Sequence, residues 1–237
     1  MHITIAGNLG SGKSTVCKYL QKEYGFEVYS TGAIQRKLAE ELSIGILELN
    51  TIMAQDLKYD HMVDEATAKL AEEQHTPPIV FDSRMAWKFA KDTFKVFMVV
   101  DPLVAAKRVI AGRRETVEHY SCVEEARSKL LERSKLENER FKRIYHVDNL
   151  DYANYNLVID TTFASPEEIG TLIYNKYLSY CKNPTRTTEI IISPQLLFPL
   201  QSIRNINTKT VREYMDEQKY KNCPISIVAF DGYHYVV

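Results

Sequence analysis

The chain has 237 residues, of which 45% are hydrophobic and 26% charged, with only nine Gly and eight Pro. This composition excludes collagen-like and globally disordered proteins and fits one large domain, or a domain with an appendage. The 30 Lys and Arg residues nearly balance the 31 Asp and Glu residues, giving a formal charge of −1. Strong non-specific binding to nucleic acid is therefore not expected.

The N-terminus and the spacing of the cysteines indicate in which cellular compartment the protein is expected. Met1 to Ala6 lacks the basic flank and long apolar run of a signal peptide. The longest strongly apolar run, Val96 to Val100, is too short to cross a bilayer. The four cysteines are scattered, without the spacing of a disulfide framework or a zinc site. We expect a cytoplasmic protein with reduced thiols and no membrane association.

Apolar runs alternate with helical patterns through the first three quarters of the chain. Buried strands are predicted at 3–6, 27–30, 79–81, 94–100 and 157–159, and helices at 13–25, 33–56, 60–74, 103–143 and 165–180. The 103–143 helix has an expected interruption between Arg114 and Cys122. Ser165, Pro166 and Glu168 form a capping-box start for the last helix. This order predicts an α/β fold, with a parallel sheet covered by helices on both faces.

The chain changes character after that helix. Residues 182–188 have linker chemistry, and strands are expected at 189–192 and 225–230, with a helix at 208–220. Asp231-Gly232 is typical of a hairpin turn. We therefore predict an α/β domain over residues 1–181 and a small α+β appendage over residues 189–237.

One motif carries most of the functional information. A G-x-x-x-x-G-K-[ST] pattern between a strand and a helix is formed by Gly7-Asn8-Leu9-Gly10-Ser11-Gly12-Lys13-Ser14, followed by Thr15. Such glycines let backbone N–H groups wrap an anion, and the helix N-terminus adds partial positive charge. Lys13 would reach the β- and γ-phosphates of ATP, and the Ser14 hydroxyl would ligate Mg²⁺. The alternative interpretation is a structural glycine turn.

Two further segments place polar groups where ligands bind in open α/β sheets, at the carboxyl ends of strands. Asp82 ends a buried strand and would share the Mg²⁺ site, and Arg84 would hold a substrate phosphate through its guanidinium fork. Alternatively, Asp82 caps the next helix and Arg84 lies on the surface. The small residues Ser30 and Gly32 would admit a second ligand, with Arg36 as a phosphate donor.

The charged helical region contains a second group of arginines. Arg133 and Arg140 are seven residues apart and share a helix face, while Arg113 and Arg114 lie at the other end of the region. A mobile helical pair carrying them would close over a polyphosphate. The intervening Glu132, Glu137 and Glu139 also fit a solvent-exposed face with weak ion pairs.

These segments together resemble the nucleoside monophosphate kinases, and within them the cytidylate kinase-like family, over about residues 1–180. The resemblance rests on residues 7–15, 30–36, 81–84, 133–145 and 155–161. It implies a P-loop kinase fold with a helical lid. It also implies ATP- and Mg²⁺-dependent phosphoryl transfer to a nucleoside monophosphate such as CMP or dCMP.

The same resemblance implies roles for individual residues. The acceptor phosphate would be held by Arg36 and Arg84. The lid would use Arg113, Arg133 and Arg140, the ATP base would lie near Asp160 and Thr161, and the acceptor would lie beside Asp60 and Asp64. The sequence departs from the family pattern at His146, where the family commonly has glycine.

The appendage and the activity leave alternatives open. Residues 189–237 faintly resemble the opening of a ParB-like or sulfiredoxin-like domain, and we expect them to pack on the kinase unit or to mediate self-association. The alternative functions are a P-loop kinase for another small metabolite and a nucleotide-switched regulatory or nucleic-acid-associated binding protein. Only a nucleoside monophosphate kinase would convert ATP and CMP into ADP and CDP.

Overall fold

A computed structural model describes residues 1–32, 58–73, 75–112, 120–193, 197–199, 227–230 and 233–236. The chain divides into two compact units, Met1–Ile191 and Ile192–Val237. The helices predicted at 33–56 and 208–220 lie outside the described residues.

The first unit alternates strands and helices, as predicted. Its elements in chain order are β1 (Ile3–Gly7), α1 (Lys13–Tyr24), β2 (Glu27–Ser30), α2 (Lys58–Glu72), β3 (Ile79–Asp82), α3 (Ala86–Phe89), β4 (Phe94–Val99), α4 (Pro102–Ala111), α5 (Val123–Tyr145), a 3-10 turn (Tyr152–Asn154), β5 (Leu157–Asp160), α6 (Pro166–Lys182) and β6 (Glu189–Ile191). The six strands form one sheet in the order β2-β3-β1-β4-β5-β6, and all five pairings are parallel.

Both faces of this sheet are buried. All five residues of the central strand β1 are buried, and successive side chains point to opposite faces. Ile3 and Ile5 pack in a core cluster with side chains of α1 and α6. Ala6 packs on the other face in a cluster with Trp87 of α3 and Tyr155, which precedes β5. The predicted α/β class, a parallel sheet covered on both faces, is confirmed.

Local chemistry starts two of the helices. The Ser165 hydroxyl accepts a hydrogen bond from Glu168 N at 3.2 Å, and the Glu168 carboxylate accepts one from Ser165 N at 2.8 Å, so the predicted capping box is confirmed. The Asp101 carboxylate accepts hydrogen bonds from the backbone N–H groups of Leu103 and Val104 at the start of α4. These caps satisfy amides that have no partner inside the helix.

The strand Glu189–Ile191 pairs with β5 in parallel and becomes the sixth strand of the sheet. The sequence-based boundary assigned residue 189 onward to the appendage, whereas the boundary between the compact units follows Ile191. The difference arises because the edge of β5 offers backbone groups that a further strand satisfies. An ion pair joins Lys176 of α6 to Glu189 at the start of this strand.

The second unit contains a three-stranded sheet in the order β7-β9-β8, formed by Leu197–Pro199 (β7), Ile227–Phe230 (β8) and Tyr233–Val236 (β9). β8 and β9 are antiparallel, with Phe230 opposite Tyr233, and β7 is parallel to β9. This pairing agrees with the predicted hairpin, whose turn residues lie outside the described part. Among the helices that the structure describes, none combines the length and apolar character needed to cross a membrane.

Helix α5 ends at an exposed residue with left-handed backbone geometry. His146 is the C-cap, with φ 55° and ψ 37°, and its N–H group donates to Lys142 O at 3.1 Å. This conformation strains a side chain with a Cβ atom and suits glycine. The geometry suits the glycine that the resemblance leads us to expect at this position.

We expect His146→Gly to raise the free energy of unfolding by about 0.5–1 kcal/mol, because relief of the left-handed strain exceeds the added entropy of the unfolded chain. Urea denaturation followed by circular dichroism would measure the change. His146→Ala keeps the Cβ atom and is the control. An equal gain from both substitutions would contradict the assignment of strain to the backbone.

Candidate active site

The loop between β1 and α1 is pinned against the neighbouring strand β4. A Cβ atom on Gly7 would lie 2.3 Å from the carbonyl oxygen of Met98, so only glycine fits there. The next residue, Asn8, donates its N–H group to the same oxygen at 2.9 Å. Its side-chain oxygen accepts a hydrogen bond from Val100 N at 3.3 Å. The loop therefore has a fixed origin at the carboxyl edge of the sheet.

Two further glycines of the loop, Gly10 and Gly12, let the backbone turn from the loop into helix α1. Gly10 has φ +76°, and a Cβ atom there would lie 2.8 Å from the Ala105 carbonyl oxygen. Gly12 has φ +87° and is the N-cap of α1, without a side chain to bond the first amides. Within α1, which is described in full, the first turn carries no acidic residue. The positive end of the helix dipole is therefore suited to an anion.

Two side chains at the start of α1 meet groups from the sheet edge. The Lys13 ammonium donates to the carbonyl oxygens of Gly7 and Asn8 at 2.9 and 2.8 Å, so its charge lies across the loop. The Ser14 hydroxyl donates to Asp82 Oδ2 at 2.7 Å. The predicted pair of Mg²⁺-ligating residues is therefore in contact. Ser30 also lies at this edge, because it is in register with Asp82 across β2 and β3.

The end of β5 approaches the loop from the other side. The Thr161 hydroxyl donates to the carbonyl oxygen of Ser11 at 3.0 Å. The same hydroxyl accepts a hydrogen bond from Arg108 Nη1 at 3.2 Å. Arg108 also donates to the Thr161 carbonyl oxygen at 2.6 Å, and burial lowers the pKa of its guanidinium. The buried Asp160 carboxylate accepts hydrogen bonds from the N–H and hydroxyl groups of Thr162. Asp160 and Thr161 therefore lie beside the loop.

A small pocket opens next to the loop. Its lining includes Gly7, Asn8, Arg84, Glu137, Asn138 and Asn149. Arg84 follows β3 and forms an ion pair with Glu137 of α5, whose carboxylate also accepts from Arg133 Nε at 2.9 Å. The structure thus brings Arg84 and Arg133 to one carboxylate. Arg140 lies on the same helix, three residues after Glu137.

Other predicted residues lie elsewhere or outside the description. Asp64 of α2 accepts a hydrogen bond from the Tyr145 hydroxyl at 2.7 Å, which links α2 to the end of α5. Asp60 lies in the first turn of α2. Gly32 follows β2 by two residues. Arg36 and Arg113 lie outside the described residues.

Sequence reasoning missed Arg108, Asn138 and Asn149. Arg108 lies on an ordinary helical stretch, and a single helical arginine gives no signal until the end of β5 is placed beside it. Asn138 and Asn149 are buried, with 8% and 6% of their surface exposed. Polar residues in a charged region indicate solvent exposure by default, so nothing in the sequence marked these two as buried.

A parallel sheet whose first strand ends in this loop, with helices on both faces, defines the P-loop nucleotide-binding fold. The profile of the cytidylate kinase-like family matches residues 2–163. The chain therefore belongs to the cytidylate kinase-like family, as the resemblance predicted. It is a nucleoside monophosphate kinase.

Similar proteins with assigned activities support this membership. The chain is 32% identical over 180 residues to a cytidylate kinase from Thermoplasma acidophilum, covering 74% of this chain and 92% of that protein. It is 32% identical over 174 residues to a cytidylate kinase from Sulfolobus acidocaldarius, covering 73% and 92%.

Solved structures share the fold. A protein of unassigned function from Eubacterium ventriosum has a TM-score of 0.54 at 19% identity, covering 76% of this chain and 99% of that one. A shikimate kinase from Acinetobacter baumannii has a TM-score of 0.50 at 13% identity, covering 78% and 95%. At these identities the likeness concerns the fold alone.

We expect Gly7→Ala to lower the free energy of unfolding by more than about 2 kcal/mol, because its Cβ atom would overlap the backbone of β4. Gly12→Ala is the matched control, since it also has positive φ but no atom lies within 4 Å of its Cβ position. Its cost should be about 1 kcal/mol. Chemical denaturation would measure both values. Equal losses would show that the close approach of the loop to β4 is unimportant.

Proposed function

We propose that the chain transfers the γ-phosphoryl group of ATP to the phosphate of a pyrimidine nucleoside monophosphate, CMP or dCMP, releasing ADP and the diphosphate. The observation that carries the proposal is the contact between Ser14 and Asp82 at the start of α1, in a member of the cytidylate kinase-like family. The choice of cytosine is supported by the cytidylate kinases of Thermoplasma and Sulfolobus that the chain resembles.

ATP would be held by the loop over residues 7–15. The amide groups of the loop and of the first turn of α1 would surround the phosphates, and Lys13 would move from its carbonyl partners towards them. The Thr161 hydroxyl donates to the Ser11 carbonyl oxygen of the loop, and Arg108 donates to the same hydroxyl. Asp160, Thr161 and Arg108 are therefore proposed to lie towards the base of ATP. By resemblance to the family, Arg113 would serve the lid over ATP.

The donor set at Ser14 and Asp82 fits Mg²⁺. A hydroxyl and a carboxylate oxygen are hard ligands, and Mg²⁺ in kinases takes one or two protein oxygens besides phosphates and water. Among the described residues there is no group of three His, Cys, Asp or Glu side chains placed to hold a metal. When bound, Mg²⁺ neutralises charge on the phosphates.

The acceptor would occupy the pocket between the loop and α5. Its phosphate oxygen is already anionic at neutral pH, so the reaction needs positioning and charge neutralisation more than a strong base. Arg84 has five N–H donors, which allows one edge of its guanidinium to hold Glu137 while another binds the phosphate. Arg133 and Arg140 would add positive charge from α5. Ser30, Gly32, Arg36 and Asp60 would border the acceptor.

We expect Lys13→Ala to lower kcat/KM for ATP and CMP by about 100-fold or more. The variant lacks the ammonium group that would stabilise negative charge on the transferred phosphoryl group. A coupled assay of ADP release would measure the loss. Lys18→Ala is the matched control, since Lys18 is exposed on the same helix. Full turnover by the Lys13 variant would refute the proposed role.

Replacing Arg84 by Ala should raise the KM for the acceptor by about 10- to 100-fold, because a charge-assisted contact with the phosphate is removed. The KM for ATP should change much less. Initial rates at saturating ATP would measure the effect, and Arg186→Ala, at an exposed loop position, is the control. An unchanged acceptor KM would exclude Arg84 from the acceptor site.

A screen of acceptors tests the substrate. CMP, dCMP, UMP, AMP and simple hydroxylated metabolites would each be offered with ATP and Mg²⁺. Preferred turnover of CMP or dCMP is expected. Turnover of a hydroxylated metabolite alone would favour a different kinase, and nucleotide binding without turnover of any acceptor would favour a nucleotide-dependent switch.

A further inference from the structure

A chain of buried hydrogen bonds joins three segments around the pocket. The indole Nε1 of Trp87 donates to Asn149 Oδ1 at 2.8 Å, and the backbone N–H of Asn149 donates to Asn138 Oδ1 at 2.9 Å. All three residues are less than 10% exposed. Trp87 lies on α3, Asn149 precedes β5, and Asn138 lies on α5. We call these three residues the Trp87–Asn149–Asn138 network.

The two ends of this network are next to the ion pair of the pocket. Trp87 follows Arg84 by three residues, and Asn138 directly follows Glu137. Arg84, Glu137, Asn138 and Asn149 all line the pocket. Any shift of α5 relative to α3 would therefore move Glu137 relative to Arg84.

The polar groups of the network have further partners. The Tyr155 hydroxyl lies 2.8 Å from the backbone oxygen of Asn149 and 2.9 Å from its Oδ1. The Asn138 amide nitrogen donates to Asp148 Oδ1 at 2.9 Å, and Lys142 pairs with the other oxygen of Asp148 at 2.7 Å. Buried networks with satisfied partners rigidify the segments that they join.

The ion pair itself is a weak constraint. About a quarter of the Arg84 and Glu137 side chains is exposed, and ion pairs in contact with solvent contribute little to stability or geometry. A buried hydrogen bond is costly to break, because it leaves a donor or an acceptor without a partner. The buried network, more than the ion pair, fixes the distance between α3 and α5.

We propose that Asn149 is a positioning residue for phosphoryl transfer. Its side-chain oxygen anchors Trp87 and its backbone N–H anchors Asn138, which sets Arg84 and Glu137 at the geometry that receives the acceptor phosphate. Asn149 acts through Arg84. The inference rests on the proposed function, because that function assigns the acceptor phosphate to this pocket.

The test uses the full chain with two single substitutions. Asn149→Leu removes the side-chain acceptor, and Trp87→Phe removes the indole donor while keeping an aromatic ring. Each should raise the acceptor KM by about tenfold, because a small displacement of Arg84 misplaces the phosphate. The KM for ATP should stay within about twofold, since the loop over residues 7–15 is anchored on β4 instead.

Two controls separate positioning from general destabilisation. Tyr177→Phe removes a hydroxyl that donates to the Met1 carbonyl oxygen at 2.8 Å, at the opposite edge of the sheet, and should leave both KM values unchanged. In a Glu137→Gln background, Trp87→Phe should have a smaller effect on the acceptor KM, because the charge of the aligned ion pair has already been removed. Trp87 is the only tryptophan, so a shift of its emission in Asn149→Leu would verify that the hydrogen bond is lost.

Four results would overturn the inference. An unchanged acceptor KM in both variants, with the emission shift present in Asn149→Leu, would show that the hydrogen bond does not position Arg84. Equal rises in the two KM values, or fully additive effects with Glu137→Gln, would show a merely structural role. A wild-type chain that phosphorylates no monophosphate would remove the proposed function as well, and this outcome is visible before any variant is made.

Discussion

The close approach of Gly7 to the backbone of Met98 is the constraint on which the site depends. It leaves no room for a side chain, and it puts the first loop amide within hydrogen-bond distance of β4. From that point the chain has only a few residues in which to reach α1, so positive φ angles at Gly10 and Gly12 follow. The position of Lys13 and Ser14 at the sheet edge is a consequence of this geometry.

Helix α5 combines two interpretations that the sequence left open. Arg133 and Glu137 form the i, i+4 ion pair of a solvent-exposed helix face. The same carboxylate also reaches Arg84, which follows a different strand. The charged face therefore both contacts solvent and borders the pocket.

The pairing of β6 changes how the C-terminal part of the chain is divided. Residues 189–191 follow a linker that contains polar residues and a proline. They pair with β5 and form the last strand of the kinase sheet. The separate three-stranded sheet begins after them. An edge strand contributed by the end of the domain covers backbone groups of β5 that would otherwise stay unpaired. The appendage is therefore smaller than its strand pattern indicated.

The sequence by itself determined the features that neighbouring residues encode. The glycine loop, the buried strands and the capping box at Ser165 depend on residues a few positions apart. Each was predicted from the residue types at those positions. The loop also predicted a phosphate-binding site, and the resemblance that includes it identified the kinase family.

Tertiary structure alone decided the contacts between distant segments. Trp87 and Asn149 are 62 residues apart, and Arg84 meets Glu137 only because α5 lies beside the end of β3. An asparagine or a glutamate is one polar position in the sequence pattern, whether its side chain faces solvent or a buried partner. The pattern shows which positions are polar but not which distant residues lie close together. The packing of α5 on the sheet turned these ambiguous polar residues into the wall of a pocket.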